Sequence, residues 1–295
     1  MEPIKDTSLK SALDEALITA IKGEIPETVW MAIPDILDWE KQYEIYIDGR
    51  GAPVDDLTIA DIIQPGDITL GWLKRKKIIV KNTAGAQVNR WSYYNCLYAE
   101  INRDNAQYLL NEAVWFKVED DYNRQINEFY SKIKVFQTTL KVKDGEREDS
   151  YNKRLVQSDA KYCLMDKKLV SSGETRSPIE ICDVYSQDKY LIHVKKGKGS
   201  STLSHLFAQG FVSADLLQQL TFRKRVNAIL RNDILLGNPA MDKWLFPEDD
   251  SFKASDYKIV YAIITGSETD RPQIPFFSKV IFRQFATTLM KEDLT

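Results

Sequence analysis

The sequence predicts a mixed α+β protein built in two parts, an N-terminal α/β domain over 1–140 and a second domain over 141–295. Three observations lead there. Amphipathic helical runs alternate with short strand-like runs along the chain. A length of 295 residues favours two ordinary domains over one. Between them, Lys141 through Asp149 carries little apolar content and contains Gly145, so the hydrophobic periodicity stops there.

The first element is a helix over 8–22, with Leu9, Leu13, Ala16, Leu17 and Ala20 at helical spacing. Ser8 reads as its N-cap and Gly23 lies just past its end. Residues 42–47 alternate polar and apolar and stop at the turn signal Asp48-Gly49. The runs 67–70, 77–80, 97–101 and 113–118 follow the same logic, and the last two read as neighbouring antiparallel strands. A helix over 120–135 sets Ile126, Phe129, Tyr130 and Ile133 on one face.

The second part has a clear order. A short helix over 147–157 precedes strands at 162–165, 179–184 and 189–195. A helix over 200–218, interrupted at Gly210, leads to a strand at 257–265 and a closing helix over 277–290. Ser186-Gln187-Asp188 joins the second and third strands as a hairpin. The order is helix, three strands, helix, strand, helix.

Bulk properties exclude several classes. A net charge of −3 and a pI near 5.6 argue against a protein that coats nucleic acid over its whole surface. An acidic body still accommodates a local cationic groove. Cys96, Cys163 and Cys182 are scattered and lack CxxC spacing, which argues against a structural zinc site or a disulfide framework. The polar start Met1–Asp6 has no signal-peptide core, and no run of 18 apolar residues spans a membrane. The expected compartment is the cytoplasm.

Chemistry concentrates between 146 and 215. In a strand, Leu191, His193 and Lys195 share one face, and hairpin pairing brings Asp183 towards them. This order, spacing and chemistry resemble the PD-(D/E)XK nuclease superfamily, with its helix, three-strand meander, helix and strand, and imply a restriction-endonuclease-like core. By the resemblance, Asp183 is a metal ligand and Lys195 orients or activates the attacking water. A glutamate completes the metal site: Glu148 or Glu146 on the helix, with Glu180 as a substitute. The implied ion is Mg²⁺ or Mn²⁺, because hard cations take oxygen ligands. His193 departs from the pattern, which expects an acid there. The alternatives for it are a ligand, a general base, a phosphate contact, or the mark of a site that has lost catalysis.

A second resemblance is more local. The run from Leu191 to Gly210 holds HVK, a basic glycine-rich loop and then SSTLSHLFAQG. It is similar to the signature of a sporadically distributed, uncharacterised bacterial family, and the likeness covers most of residues 110–290. That distribution is typical of phage-defence genes. Lys196, Lys198, Ser200 and Ser201 stand where a basic loop meets a helix start, an arrangement suited to phosphate. His205 and Gln209 are one helical turn apart on that helix. The GxxxxGK[ST] order is missing, which excludes a Walker-type triphosphatase.

The expected function is a divalent-metal-dependent endonuclease acting on DNA, with RNA also open, in defence against phage or foreign DNA. The alternative is a catalytically decayed nuclease fold that binds nucleic acid as a sensor or as a subunit of a defence complex. Expected partners are nucleic acid and a second copy or a defence-system protein, with no membrane. The N-terminal domain has an unclear role, with target selection one open option.

Overall fold

Asp6, not Ser8, starts the first helix, its carboxylate accepting the Ser8 and Leu9 N–H groups at 2.8 and 3.1 Å. The helix, α1, runs Thr7–Lys22. The computed structural model describes residues 2–23, 28–31, 33–34, 43–54, 57–62, 68–82, 84–136, 140–143, 146–171, 179–197, 200–235, 237–238, 240–264 and 271–291. Helices and sheets both contribute, so the fold class is α+β. The chain divides into two compact units. One comprises Met1–Lys132, Gly199–Thr202 and Ile274–Lys279; the other comprises Ile133–Lys198, Leu203–Gln273 and Val280–Thr295.

In the first unit, β1 (Glu2–Pro3) precedes α1, and β2 (Val29–Met31), β3 (Tyr43–Ile47), α2 (Ile59–Ile62) and α3 (Leu70–Arg75) follow it. Then come β4 (Lys77–Asn82), β5 (Gln87–Ser92), β6 (Leu97–Arg103), β7 (Ala106–Asn111), β8 (Val114–Val118) and α4 (Asp120–Lys132). One sheet runs β1-β8-β7-β6-β2 and a second β3-β4-β5. The strands at 97–101 and 113–118 are therefore not neighbours, because β7 lies between them. Its two hairpin loops are Asp104-Asn105 and Glu112-Ala113, all four residues at positive φ. Such two-residue turns normally announce themselves with glycine, which is absent here. Ile68 and Thr69 lead into α3 instead of forming a strand, since Thr69 Oγ1 caps the helix by accepting the Trp72 N–H at 3.2 Å. Asp67, the start of that strand reading, lies outside the described residues.

Leu13, Leu17 and Ile21 on one face of α1 are fully buried against Val29, Met31, Leu97 and Trp115. The Asp14 carboxylate accepts the Tyr94 hydroxyl at 2.6 Å and Trp115 Nε1 at 2.9 Å, satisfying two aromatic donors that the core would otherwise leave unmade.

The second unit holds α5 (Glu148–Ser158), β9 (Tyr162–Leu164), β10 (Leu169–Val170), β11 (Ile179–Glu180), β12 (Val184–Ser186) and β13 (Tyr190–Lys196). They precede α6 (Ser200–Leu217), α7 (Leu220–Ile229), β14 (Lys258–Ile264) and α8 (Phe276–Lys291). Its main sheet runs β14-β13-β12-β9; β9, β12 and β13 form an antiparallel meander, and β14 lies parallel to β13. The run 179–184 is broken in two. Ile179 and Glu180 pair with β10, and the chain bends through Ile181–Asp183 before β12 begins.

Alternation along β13 serves two cores. Ile192 and Val194 join Tyr151 and Leu155 of α5. Leu191 joins Leu216, Leu217 and Phe222 on the opposite face. Arg223 belongs to this interior rather than to a basic surface, since its guanidinium donates to the carbonyls of Leu217, Gln218, Pro247 and Asp249. Cys96, Cys163 and Cys182 are buried and unpaired, and burial pushes the Cys96 and Cys163 thiols up to about 12.

Gly210 does not interrupt α6. It is the notch against which Tyr261 of β14 lies, with the Tyr261 hydroxyl donating to the Phe207 carbonyl at 3.0 Å. A Cβ at 210 would come within 2.4 Å of that hydroxyl oxygen. Gly210→Ala is expected to displace the ring and destabilise the protein by about 1–3 kcal/mol despite the better helix propensity of alanine. Urea unfolding of the variant beside the parent tests this; equal or greater stability would show that Tyr261 moves freely.

Candidate metal centre

The site grows from the bend before β12. The Asp183 carbonyl accepts the N–H groups of both Met165 and Asp166, at 2.8 and 2.9 Å, so two residues after β9 face one before β12 in the manner of a β-bulge. Asp183 donates its own N–H to Ile192, and its carboxylate accepts the Val194 N–H at 2.7 Å. Asp166, Glu180 and Asp183, all half-buried, thereby offer carboxylate oxygens that lie within 4.8 Å of one another. Glu180 comes from β11 and also accepts the Lys167 N–H.

Electrostatics mark this group as short of positive charge. Burial, aided by the neighbouring Asp183 and Asp166, raises the Glu180 carboxyl to about 7 against the pull of the Lys167 N–H. Burial likewise raises Asp183 to about 6; the Val194 N–H opposes this, Asp166 and Glu148 reinforce it, and Lys195 opposes it weakly. A set of hard oxygen donors with raised pKa values suits a divalent cation such as Mg²⁺ or Mn²⁺.

The structure separates the residues expected from sequence. Asp183 and Glu180 fall in the carboxylate group. Glu148 is not part of it; it accepts the Lys196 N–H at 2.8 Å and holds the Lys195 ammonium at 3.4 Å. With both side chains about one third exposed, this ion pair contributes no more than about 1 kcal/mol, so its consequence is the placement of Lys195 rather than stability. Glu146 faces elsewhere, gripped by Arg154 through two hydrogen bonds of 2.8 and 2.6 Å that lower its carboxyl to about 2.

His193 follows Ile192, whose carbonyl accepts the Asp183 N–H; it is only 3% exposed, and its Nε2 has no hydrogen-bond partner among the described residues. Burial lowers its pKa to about 4, so the imidazole is neutral at neutral pH. It lies within 6.1 Å of the Tyr261 ring and outside the carboxylate group. His205 and Gln209 are exposed on α6, and Lys196 is exposed at the end of β13. Ser200 and Ser201 open α6, with side chains outside the described residues, as is Lys198 altogether. Asp166 escaped the sequence reading, since only the bulge that pairs it with Asp183 brings it near.

Comparison places the chain in a family: the model of a family of unknown function, DUF6119, matches residues 1–294, and the protein belongs to it. No curated protein and no solved structure matches the chain. Among the described residues, no helix is long and apolar enough to cross a membrane.

The raised carboxyls fix the sign of two pH effects. Without a cation, a carboxyl held above its unfolded pKa favours folding while protonated, so this contribution is lost as pH rises from about 4 to 7. Loading with Mn²⁺ must displace those protons. Calorimetry in buffers of different ionisation enthalpy is expected to show proton release at pH 6 that largely disappears at pH 8.5 and in Glu180→Gln/Asp183→Asn. Binding with no proton release at pH 6 would place the ion elsewhere.

Proposed function

We propose that the second unit is a divalent-metal-dependent endonuclease domain that hydrolyses DNA phosphodiester bonds in defence against foreign DNA. The observation that carries this reading is the meeting of Asp166, Glu180 and Asp183 within 4.8 Å beside the Lys195–Glu148 pair, at the edge where β12 and β13 part. The order of helix, antiparallel meander, helix and parallel fourth strand supports it, as does the resemblance to PD-(D/E)XK nucleases.

Each residue has a defined task. Asp183 and Glu180, with Asp166, hold the cation; the Val194 N–H fixes the Asp183 carboxylate in place. When bound, such an ion supplies positive charge against the phosphate and makes a water a stronger acid. The Lys195 ammonium, steadied by Glu148, stabilises negative charge that develops on the phosphate oxygens. His193 is neutral and shut from water, so in this reading it shapes the interior beneath Lys195 and transfers no proton. Lys196 offers the nucleic-acid backbone a cation at the exposed end of β13.

The buried imidazole at 193, where the superfamily pattern has an acid, favours a second reading in which the domain binds nucleic acid without cutting it. One experiment separates the two: incubation of plasmid, linear DNA and RNA with Mg²⁺ or Mn²⁺, using the parent, Asp183→Asn and Lys195→Ala. The endonuclease reading expects metal-dependent cleavage by the parent and a loss of roughly 10²-fold or more in each variant. Salt-sensitive binding without cleavage supports the binding-only reading. Cleavage that survives both substitutions sinks the proposed site.

A further inference from the structure

Helix α5 has two working faces, and only one of them serves the carboxylates. Glu148 turns towards Lys195 and Lys196, and Tyr151, Asn152 and Leu155 are buried. The other face, with residues just before the helix, lines an open groove of about 620 Å³ formed by Lys143, Glu146, Arg147, Ser150, Lys153, Arg154 and Gln157. Four cations therefore meet one carboxylate, on a protein whose net charge is −3. That carboxylate is already spent: Glu146 is chelated by Arg154, whose guanidinium also donates to the Lys141 carbonyl at 2.7 Å. Lys143, Arg147 and Lys153 are exposed. Arg147 reaches Asp149 only at 3.7 Å with 85% of its side chain exposed, a contact too solvated to neutralise it.

From Arg147 to Gln157 the stripe follows helical spacing and extends about 15 Å at 1.5 Å per residue. One strand of a duplex places a phosphate every 3.4 Å or so of rise, so this length covers about four nucleotides. Ser150 and Gln157 add uncharged donors between the cations, as contacts to phosphate oxygens require. Among the described residues, no aromatic side chain lines the groove to stack on bases. Its chemistry is that of sequence-independent phosphate binding.

We infer that this groove is the track for the sugar–phosphate backbone flanking the point of cleavage, held by Lys143, Arg147 and Lys153, with Arg154 fixed by Glu146 as its rigid wall. The inference rests on the endonuclease reading for the identity of the nucleic acid. Its geometric link to the site is α5 itself, since Arg147 directly precedes Glu148, which positions Lys195. From the start of α5, the groove then offers Arg147 and, further along the helix, Lys153, with Lys143 before the helix. They contribute affinity and orientation, not bond breaking.

The test measures binding and cutting separately. Binding of a fluorescent 20-base-pair duplex to the full chain is followed by anisotropy between 50 and 300 mM NaCl in Ca²⁺. The parent, Lys143→Ala/Arg147→Ala/Lys153→Ala and Asp183→Asn are compared, with thermal unfolding of each as a check on folding. The triple variant is expected to unfold like the parent and to bind at least about tenfold more weakly. Its log K against log salt slope should be shallower by roughly 2–3, the share of three lost phosphate contacts. Asp183→Asn is expected to keep the parent slope while losing cleavage. Unchanged affinity and slope in the triple variant would overturn the groove assignment and leave the endonuclease reading standing. Loss of poly-aspartate binding with DNA binding intact would give the groove to an acidic protein partner and likewise overturn it. A parent that neither binds nor cuts nucleic acid would overturn both readings.

Discussion

The second unit depends on how the backbone of Asp183 is used. Its carbonyl gathers two amides from the end of β9, its N–H goes to β13, and its carboxylate takes the N–H of Val194. Four hydrogen bonds on one residue tie the central strand to both neighbours at the point where the sheet opens. If each contributes about 1 kcal/mol, the bend is fixed by a sizeable fraction of a domain's net stability. That expenditure leaves Asp183 beside two other carboxylates, an arrangement with no structural advantage of its own. Burial and mutual repulsion raise the pKa of Asp183 and Glu180, so the group favours protons or a cation over the empty ionised state. The bulge holds together what electrostatics would separate, which is how strain and charge are usually stored at functional positions.

Lys195 belongs to the same arrangement. It follows β13 out of the interior, two residues past His193, and its partner Glu148 arrives from the opposite side of the sheet on α5. An ion pair of two such partly exposed side chains is worth little as glue. Two contacts from one carboxylate, to the ammonium and to the Lys196 N–H, nevertheless hold the end of β13 in register with the start of α5.

Much of the fold was legible in the sequence because it rests on local periodicity. The helices at 7–22, 120–132 and 200–217 and the strand at 258–264 follow apolar spacing, and the 184–192 hairpin follows from a short polar link between apolar runs. What was missed depended on conformations that residue type announces weakly. Asp104-Asn105 and Glu112-Ala113 make tight turns without glycine, hiding β7 from a reader looking for Asn-Gly or Asp-Gly. Gly210 read as a break because a glycine's local preference is visible and the tyrosine ring it accommodates is fifty-one residues away. Asp183, Glu180 and Lys195 were singled out through the resemblance to the nuclease superfamily, and in the fold Asp183 and Glu180 meet. Asp166 was not, because its place comes from a bulge register, and neither was the burial of His193, which depends on packing against Tyr261 from β14.

The charge distribution completes the argument. If an acidic protein is to bind a polyanion, as proposed here, its overall field repels, so attraction has to be local and directional. Here several carboxylates that would spoil such attraction are committed, Glu146 to Arg154, Glu148 to Lys195 and the Lys196 amide, and Asp183 and Glu180 to a group suited to a cation, while Asp149 stands 3.7 Å from Arg147. The uncommitted charges along α5 are then the exposed ones of Lys143, Arg147 and Lys153. One helix thus carries Glu148 towards Lys195 on one face and the exposed cations on another, a separation that the proposed phosphodiester chemistry would use. Screening over about 10 Å at ordinary ionic strength keeps the two faces from cancelling each other across the width of the helix.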